Sequence, residues 1–232
     1  MTSGMARGVL VSVLLFASGC GSTPKAPPDS PVIEADGVTI WPHRVEVQAL
    51  VCLDEGWLEQ IACSPGTREH EALVVVEIPP SDLHAALLAA GFEPGSPGHW
   101  TDDGSVVTAV PPSGDRVRIE VRRQRDGRTV QEPIGAWMIG AIHGEPFPET
   151  HWVFAGSAFA ENPDWMGPGE HYVADLSGSV IGLVTFGDEV IGFETVMADQ
   201  EAVEPMQWKV NTDHVPPIGT PVTLILIGTG TD

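Results

Sequence analysis

Apolar and polar positions alternate most regularly over residues 116–130, RVRIEVRRQRDGRTV. Val117, Ile119 and Val121 alternate with charged residues, which predicts a strand with one buried face and one wet face. Asp126-Gly127 follows, a pair suited to a two-residue type I′ turn because both positions need positive φ, so the segment predicts a hairpin. A looser alternation over 45–53 predicts a second strand. The unbroken run ALVVVEI at 72–78 is β-branched and apolar, as a strand covered on both faces requires. Pro79-Pro80 stops it. Ser81 then fits an N-cap and Asp82 the first turn of a helix, with Leu83, Leu87 and Leu88 at helical spacing and Gly91 as the terminator. Further strands are predicted at 151–155, 171–174, 180–185, 190–193, 206–210 and 222–227, with a turn at 175–179 and a long Gly/Pro-rich connection at 93–115. The pattern predicts an α+β fold, a mainly antiparallel β-sheet with one packed helix and a second short one near 134–139.

Composition narrows this picture. With 26 Gly and 21 Pro in 232 residues, a helix bundle or coiled coil is excluded, since both residues break helix interiors. The 42% apolar content excludes wholesale disorder. Acidic residues outnumber basic ones 32 to 11, a net charge of −21, which excludes general nucleic-acid binding by repulsion of the phosphate backbone. Six of the 11 basic residues are Arg116, Arg118, Arg122, Arg123, Arg125 and Arg128 in the hairpin. They predict either a solvated face that balances an acidic body or a docking face for an anionic surface.

The first residues are an address. Arg7 precedes the apolar run VLVSVLLFA at 9–17, and small residues lead into Cys20. The run is far short of the roughly 20 residues that span a bilayer. Ala17-Ser18-Gly19-Cys20 resembles a bacterial lipobox, with Ala17 in place of the usual Leu. The resemblance implies cleavage before Cys20 and acylation of its thiol and amine, and two or more chains hold firmly where one does not. Gly21 stands where an inner-membrane retention signal has Asp, which points to the periplasmic face of the outer membrane. Residues 1–19 are thus expected to be a signal peptide, 20–36 a Pro-rich tether and 37–230 the folded domain. Outside the cytoplasm disulfides persist, so Cys52 and Cys63, which close a 12-residue loop, are expected to pair, a crosslink worth about 3 kcal/mol in the loop-entropy model. Two buried free thiols are the alternative.

Several blocks in order resemble the YdjY-domain family. They are Cys52-Leu53, Cys63-Ser64-Pro65-Gly66-Thr67-Arg68-Glu69-His70-Glu71, Leu83-His84-Ala85-Ala86-Leu87-Leu88 and Gly91-Phe92-Glu93-Pro94-Gly95, then Trp152-Val153-Phe154-Ala155-Gly156-Ser157 and Tyr172-Val173-Ala174-Asp175 with Gly178. The resemblance covers about residues 45–227. It implies a single domain over this span and gives weight to the Glu-His-Glu segment, but it supplies no activity. Some relatives carry a ferredoxin-like description, and this chain lacks the cysteines for a cluster.

Glu69-His70-Glu71 and His84 are the sharpest candidate site. If His84 at the helix start faced His70, two imidazoles and a carboxylate would suit a divalent cation with an open position for water. The zincin spacing is missing, because position 74 is Val. In the structural alternative Glu69 and Glu71 pair with Arg68 or cap backbone amides, and His84 donates to a nearby carbonyl. Trp165, beside Met166 in the Pro/Gly-rich loop 162–169, is the aromatic residue expected to be most exposed. No G-x-S-x-G, P-loop or G-x-G-x-x-G occurs. The chain is therefore expected to be a lipid-anchored envelope protein. It would be joined to the membrane through Cys20, bind a protein or small ligand without catalysis, and need no cofactor. The alternative is a metal-dependent extracytoplasmic enzyme using Glu69, His70, Glu71 and His84.

Overall fold

A computed structural model describes residues 30–198 and 206–230. The expected signal peptide, Cys20 and most of the tether lie outside the described residues. Eight strands carry the fold: β1 (Arg44–Val51), β2 (Gln60–Cys63), β3 (Ala72–Val76), β4 (Arg116–Arg125), β5 (Trp152–Phe154), β6 (Ser179–Gly182), β7 (Ile191–Phe193) and β8 (Pro221–Gly228). Their spatial order is β1-β8-β4-β5-β7-β6-β2-β3, and β3 pairs back onto β1, so the sheet closes into a barrel. Two pairings are parallel, β6 with β7 and β2 with β3, and the other six are antiparallel.

This corrects the expected α+β fold. The protein is mostly β, and closure of the sheet on itself buries the core that a helix layer was expected to cover. Side chains fill the interior in cross-strand rows. Val45, Leu226 and Ile119 form one and Val47, Leu224 and Val121 the next, all fully or almost fully buried. The unbroken apolar run of β3 has a simple cause. Leu73, Val74 and Val76 belong to the main core, while Ala72 and Val75 pack with Cys63 and Cys52 in a small second cluster.

One full helix, α1 (Pro80–Ala89), packs Leu83 and Leu87 into the core. Its start differs from expectation. Pro80 opens the first turn, where its missing N–H costs nothing, and the Ser81 amide is held at 2.8 Å by the Asp175 carboxylate from a distant segment. That segment, expected to be a turn, is the short helix α2 (Val173–Ser177), closed by Gly178 at φ +77°. The second helix expected near 134–139 is a single 3-10 turn, Ile134–Trp137, running into a strand at Met138–Gly140. The Asp126-Gly127 turn forms as expected, with φ of 52° and 73°, and joins β4 to an outer strand at Arg128–Pro133.

Three of the six hairpin arginines are spent on local carboxylates. Arg122 and Arg44 both bind the Glu46 carboxylate, Arg118 reaches Glu120 at 3.1 Å, and Arg123 binds Glu132 at 3.2 Å and lies over the Trp137 ring. Burial opposes ionisation of Glu46, but the two guanidiniums outweigh it and hold its carboxyl below the usual range.

Candidate functional site

The sequence blocks singled out above converge where β2, β6, α1 and α2 meet. The loop 64–71 folds on itself. Gly66 N–H donates to the Glu69 carboxylate at 2.7 Å, the Thr67 hydroxyl to Ser64 O at 2.6 Å and Glu71 N–H to Arg68 O at 3.1 Å. Ser64 N–H donates to Gly178 O, which ties the loop to the end of α2. A side chain at Gly178 would come within 2.6 Å of Thr67, so only glycine fits. The Arg68 guanidinium lies 3.8 Å from the Phe186 ring centroid and 3.7 Å from Glu71.

His70 and His84 are not brought together. The His70 side chain is 78% exposed, with Glu71 as its neighbour at 3.5 Å. His84 is half-buried against Phe154 and Tyr172, at centroid distances of 4.9 and 5.5 Å. Among the described residues no group of three or more His, Cys, Asp or Glu side chains is placed to hold a metal ion. The expected Glu69, His70, Glu71 and His84 cluster therefore resolves into two unconnected pieces. Glu69 and Glu71 serve their own loop, and His84 belongs to a different network.

That network runs through Tyr172. Its hydroxyl donates to Gly156 O at 2.9 Å, so the same oxygen accepts from His84 Nδ1–H, also at 2.9 Å. The neutral ring then presents Nε2 as an acceptor. Burial holds the imidazole below its usual pKa, opposed by the Gly156 carbonyl. Gly156 and Ser157 both have positive φ, and Ser157 is the turn residue expected rather than a nucleophile. Its hydroxyl donates to Asp188 O at 2.6 Å and accepts from Ala174 N–H at 3.2 Å.

Glu189 was not foreseen. It is 1% exposed, and its carboxylate accepts from the Gly187 and Asp188 amides at 2.9 and 3.0 Å. Burial raises its pKa to about 7, against the pull of those amides, and the Asp188 charge adds to the rise. A lone Glu in a turn, GDEV, gives no hint of this in the sequence. Only the packing around it does.

The thiols are also placed unexpectedly. Cys52 directly follows β1 and Cys63 ends β2, on opposite sides of β3, and both are free. The expected disulfide is not formed in this structure, where Cys52 packs against the small cluster of Cys63, Ala72 and Val75 and its thiol donates to Ala72 O at 3.1 Å.

Beyond this junction a hairpin projects, Phe159–Glu161 against Glu170–Tyr172, with a 3-10 turn at Asp164–Met166 across its tip. Phe159 is 70% exposed yet rests edge-on against Tyr172 at 5.4 Å. Trp165 is 74% exposed, and Met166 is exposed beside it, as the loop composition predicted. Glu161, Asp164 and Glu170 are exposed around them.

A family model for the YdjY domain matches residues 42–227, which include all eight barrel strands except the last residue of β8. The chain belongs to the YdjY domain family. No curated protein and no solved structure matches it. The YdjY domain here is thus the barrel together with α1, α2 and the aromatic hairpin, and its conspicuous sequence blocks are the ones that build the junction.

Proposed function

We propose that this YdjY domain is a binding module, held at the bacterial envelope by acyl chains on Cys20, that recognises a cationic, partly apolar protein surface through the hairpin 159–172. The observation that carries this is the exposure of Phe159, Trp165 and Met166 on one hairpin within an acidic rim. Trp at the centre of a small apolar patch is the residue type that most often dominates a protein interface. Charge points to the partner's sign. Residues 129–208, which include the whole hairpin, contain no Lys or Arg, so the acidic hairpin favours a cationic partner. The hairpin is also supported from beneath, because Phe159 rests edge-on against Tyr172, which is fixed by Gly156 and His84.

Nothing in the arrangement favours the metal-dependent enzyme, since Glu69 and Glu71 serve their own loop, His70 is exposed beside Glu71 and His84 belongs to the Tyr172 network. A surface cavity of about 270 Å³ floored by Trp152 and Phe147 and rimmed by Pro133, Pro146 and Pro148 supports a second, small apolar ligand.

Two measurements test the proposal. Palmitate labelling and membrane fractionation of the full chain should both be lost in Cys20→Ser. Co-isolation of the partner from solubilised envelopes should be lost in Trp165→Ala and retained in Val106→Ala, a control on another exposed hairpin. Equal retention in both variants would remove the hairpin from recognition.

A further inference from the structure

We propose that the cavity at the rim of the barrel, where β1 and β4 begin and β8 ends, binds a small zwitterion, an α-amino acid with an apolar side chain. This site is separate from the hairpin 159–172 and from the cavity over Trp152 and Phe147, so it is independent of the hairpin's role in binding.

The cavity holds about 360 Å³ and lies where the regular ladders stop. Its frame is backbone. His43 N–H donates to Ala90 O at 2.7 Å, and His43 O accepts from Gly228 N–H at 2.9 Å. Thr229 N–H donates to Arg116 O at 3.1 Å. Asp115 N–H donates to Glu93 O at 3.0 Å, and one Asp115 carboxylate oxygen accepts from Glu93 N–H at 2.9 Å. These bonds tie the segments at 43, 90–93, 115–116 and 228–229 into a closed ring. The cavity is therefore preformed, and little ordering entropy opposes binding. His43 is held at φ 54° between its two bonds, with its ring edge-on to buried Phe92 at 6.3 Å. Gly228 keeps the space open, since a Cβ there would lie 3.1 Å from the Phe92 ring and 3.4 Å from His43 Cβ.

The charges that line the cavity choose the ligand. Arg116 is exposed and makes no ion pair among the described residues, with Asp115 or with any other carboxylate. Glu194, whose ionisation Arg116 supports from outside the cavity, is itself held by the Thr150 hydroxyl and the His151 amide. Asp115 is exposed too, and its second carboxylate oxygen is left for a ligand. The Thr229 hydroxyl is buried in the same wall with no partner among the described residues, so a donor also remains. A simple anion would be drawn to Arg116 and repelled by Asp115, and a simple cation the reverse. A molecule carrying both charges satisfies both groups at once. An α-amino acid does so with its carboxylate on the Arg116 guanidinium, its ammonium on Asp115 and its side chain against the Phe92 wall.

The test is isothermal titration calorimetry of the full chain with L-leucine, and with isocaproate and isoamylamine, which keep its apolar body but lack the ammonium and the carboxylate respectively. L-leucine should bind saturably at a single site, and each analogue at least about tenfold more weakly, because a charged group is then left unpaired. Arg116→Gln should weaken L-leucine by about tenfold or more. Arg125→Gln, at the far end of β4, should leave its affinity unchanged, and Gly228→Leu, which fills the cavity, should abolish binding. Far-UV circular dichroism checks that each variant is folded, and the comparison of the three compounds on wild-type chain is decisive even if one is not. No saturable binding of L-leucine, equal binding of either analogue, or an unchanged affinity in folded Arg116→Gln would overturn the proposal.

Discussion

The barrel has two unlike halves. In one, β1, β8 and β4 run 8 to 10 residues each in antiparallel register, and their side chains form continuous rows. In the other, β2, β3, β5, β6 and β7 are 3 to 5 residues long and include both parallel pairings. The long half carries ion pairs on its outer face and little else. The short half carries the positive-φ turn at Gly156-Ser157, the buried Glu189, the buried Cys63 thiol and the aromatic hairpin. Regular ladders supply stability, and the interruptions in them hold the chemically distinctive groups. That division follows from backbone satisfaction, since short strands leave amides free to bind carboxylates and hydroxyls.

The largest contrast should come from glycine replacement. Gly178→Ala forces positive φ on a Cβ and drives it into Thr67, so it should cost about 3 kcal/mol. Gly127→Ala in the long half also has positive φ but has open space around it, and should cost about 1 kcal/mol. Urea denaturation of both variants measures the difference.

Glu189 offers a test of similar size with the opposite sign. Its folded pKa of about 7 lies above the unfolded value of 4.5, so the buried carboxyl favours folding while protonated. That contribution is whole below pH 4.5 and is lost as pH rises to about 7. Glu189→Gln should therefore stabilise the protein by about 3 kcal/mol at pH 8 and change little at pH 4, read from denaturation at the two pH values.

Glu46→Gln probes the long half. The carboxyl is held below its ordinary range by Arg122 and Arg44, so its contribution is present above about pH 4.5 and is lost as pH falls. The variant should cost about 2 kcal/mol at pH 7 and progressively less in acid, as thermal melts at pH 7 and pH 3 would show.

Seven of the eight barrel strands were legible in the sequence, four of them in the short half. Alternation at Val117, Ile119 and Val121 located β4, and Asp126-Gly127 located its turn, because a half-buried strand writes its burial into every second residue. Strand β2, QIAC, was missed, because four buried residues without alternation carry no period. Closure was missed with it, since β2 is the strand that joins β6 to β3 and completes the barrel. Among site residues, His84 and the Cys63–Glu71 loop were recognised as important for reasons the structure changes. His84 meets Tyr172 and not His70, because pairing across 88 positions is set by tertiary packing and not by spacing. Trp165 was readable, because a Pro/Gly-rich loop has nothing with which to bury it.

The most direct test of the hairpin as a recognition surface is photo-crosslinking in intact envelopes, with a photoreactive residue at position 165 and a control at position 106. The account predicts one discrete protein adduct from 165, weakened by raised salt, and none from 106. Adducts of equal yield and identity from both positions, or none from 165, would contradict it.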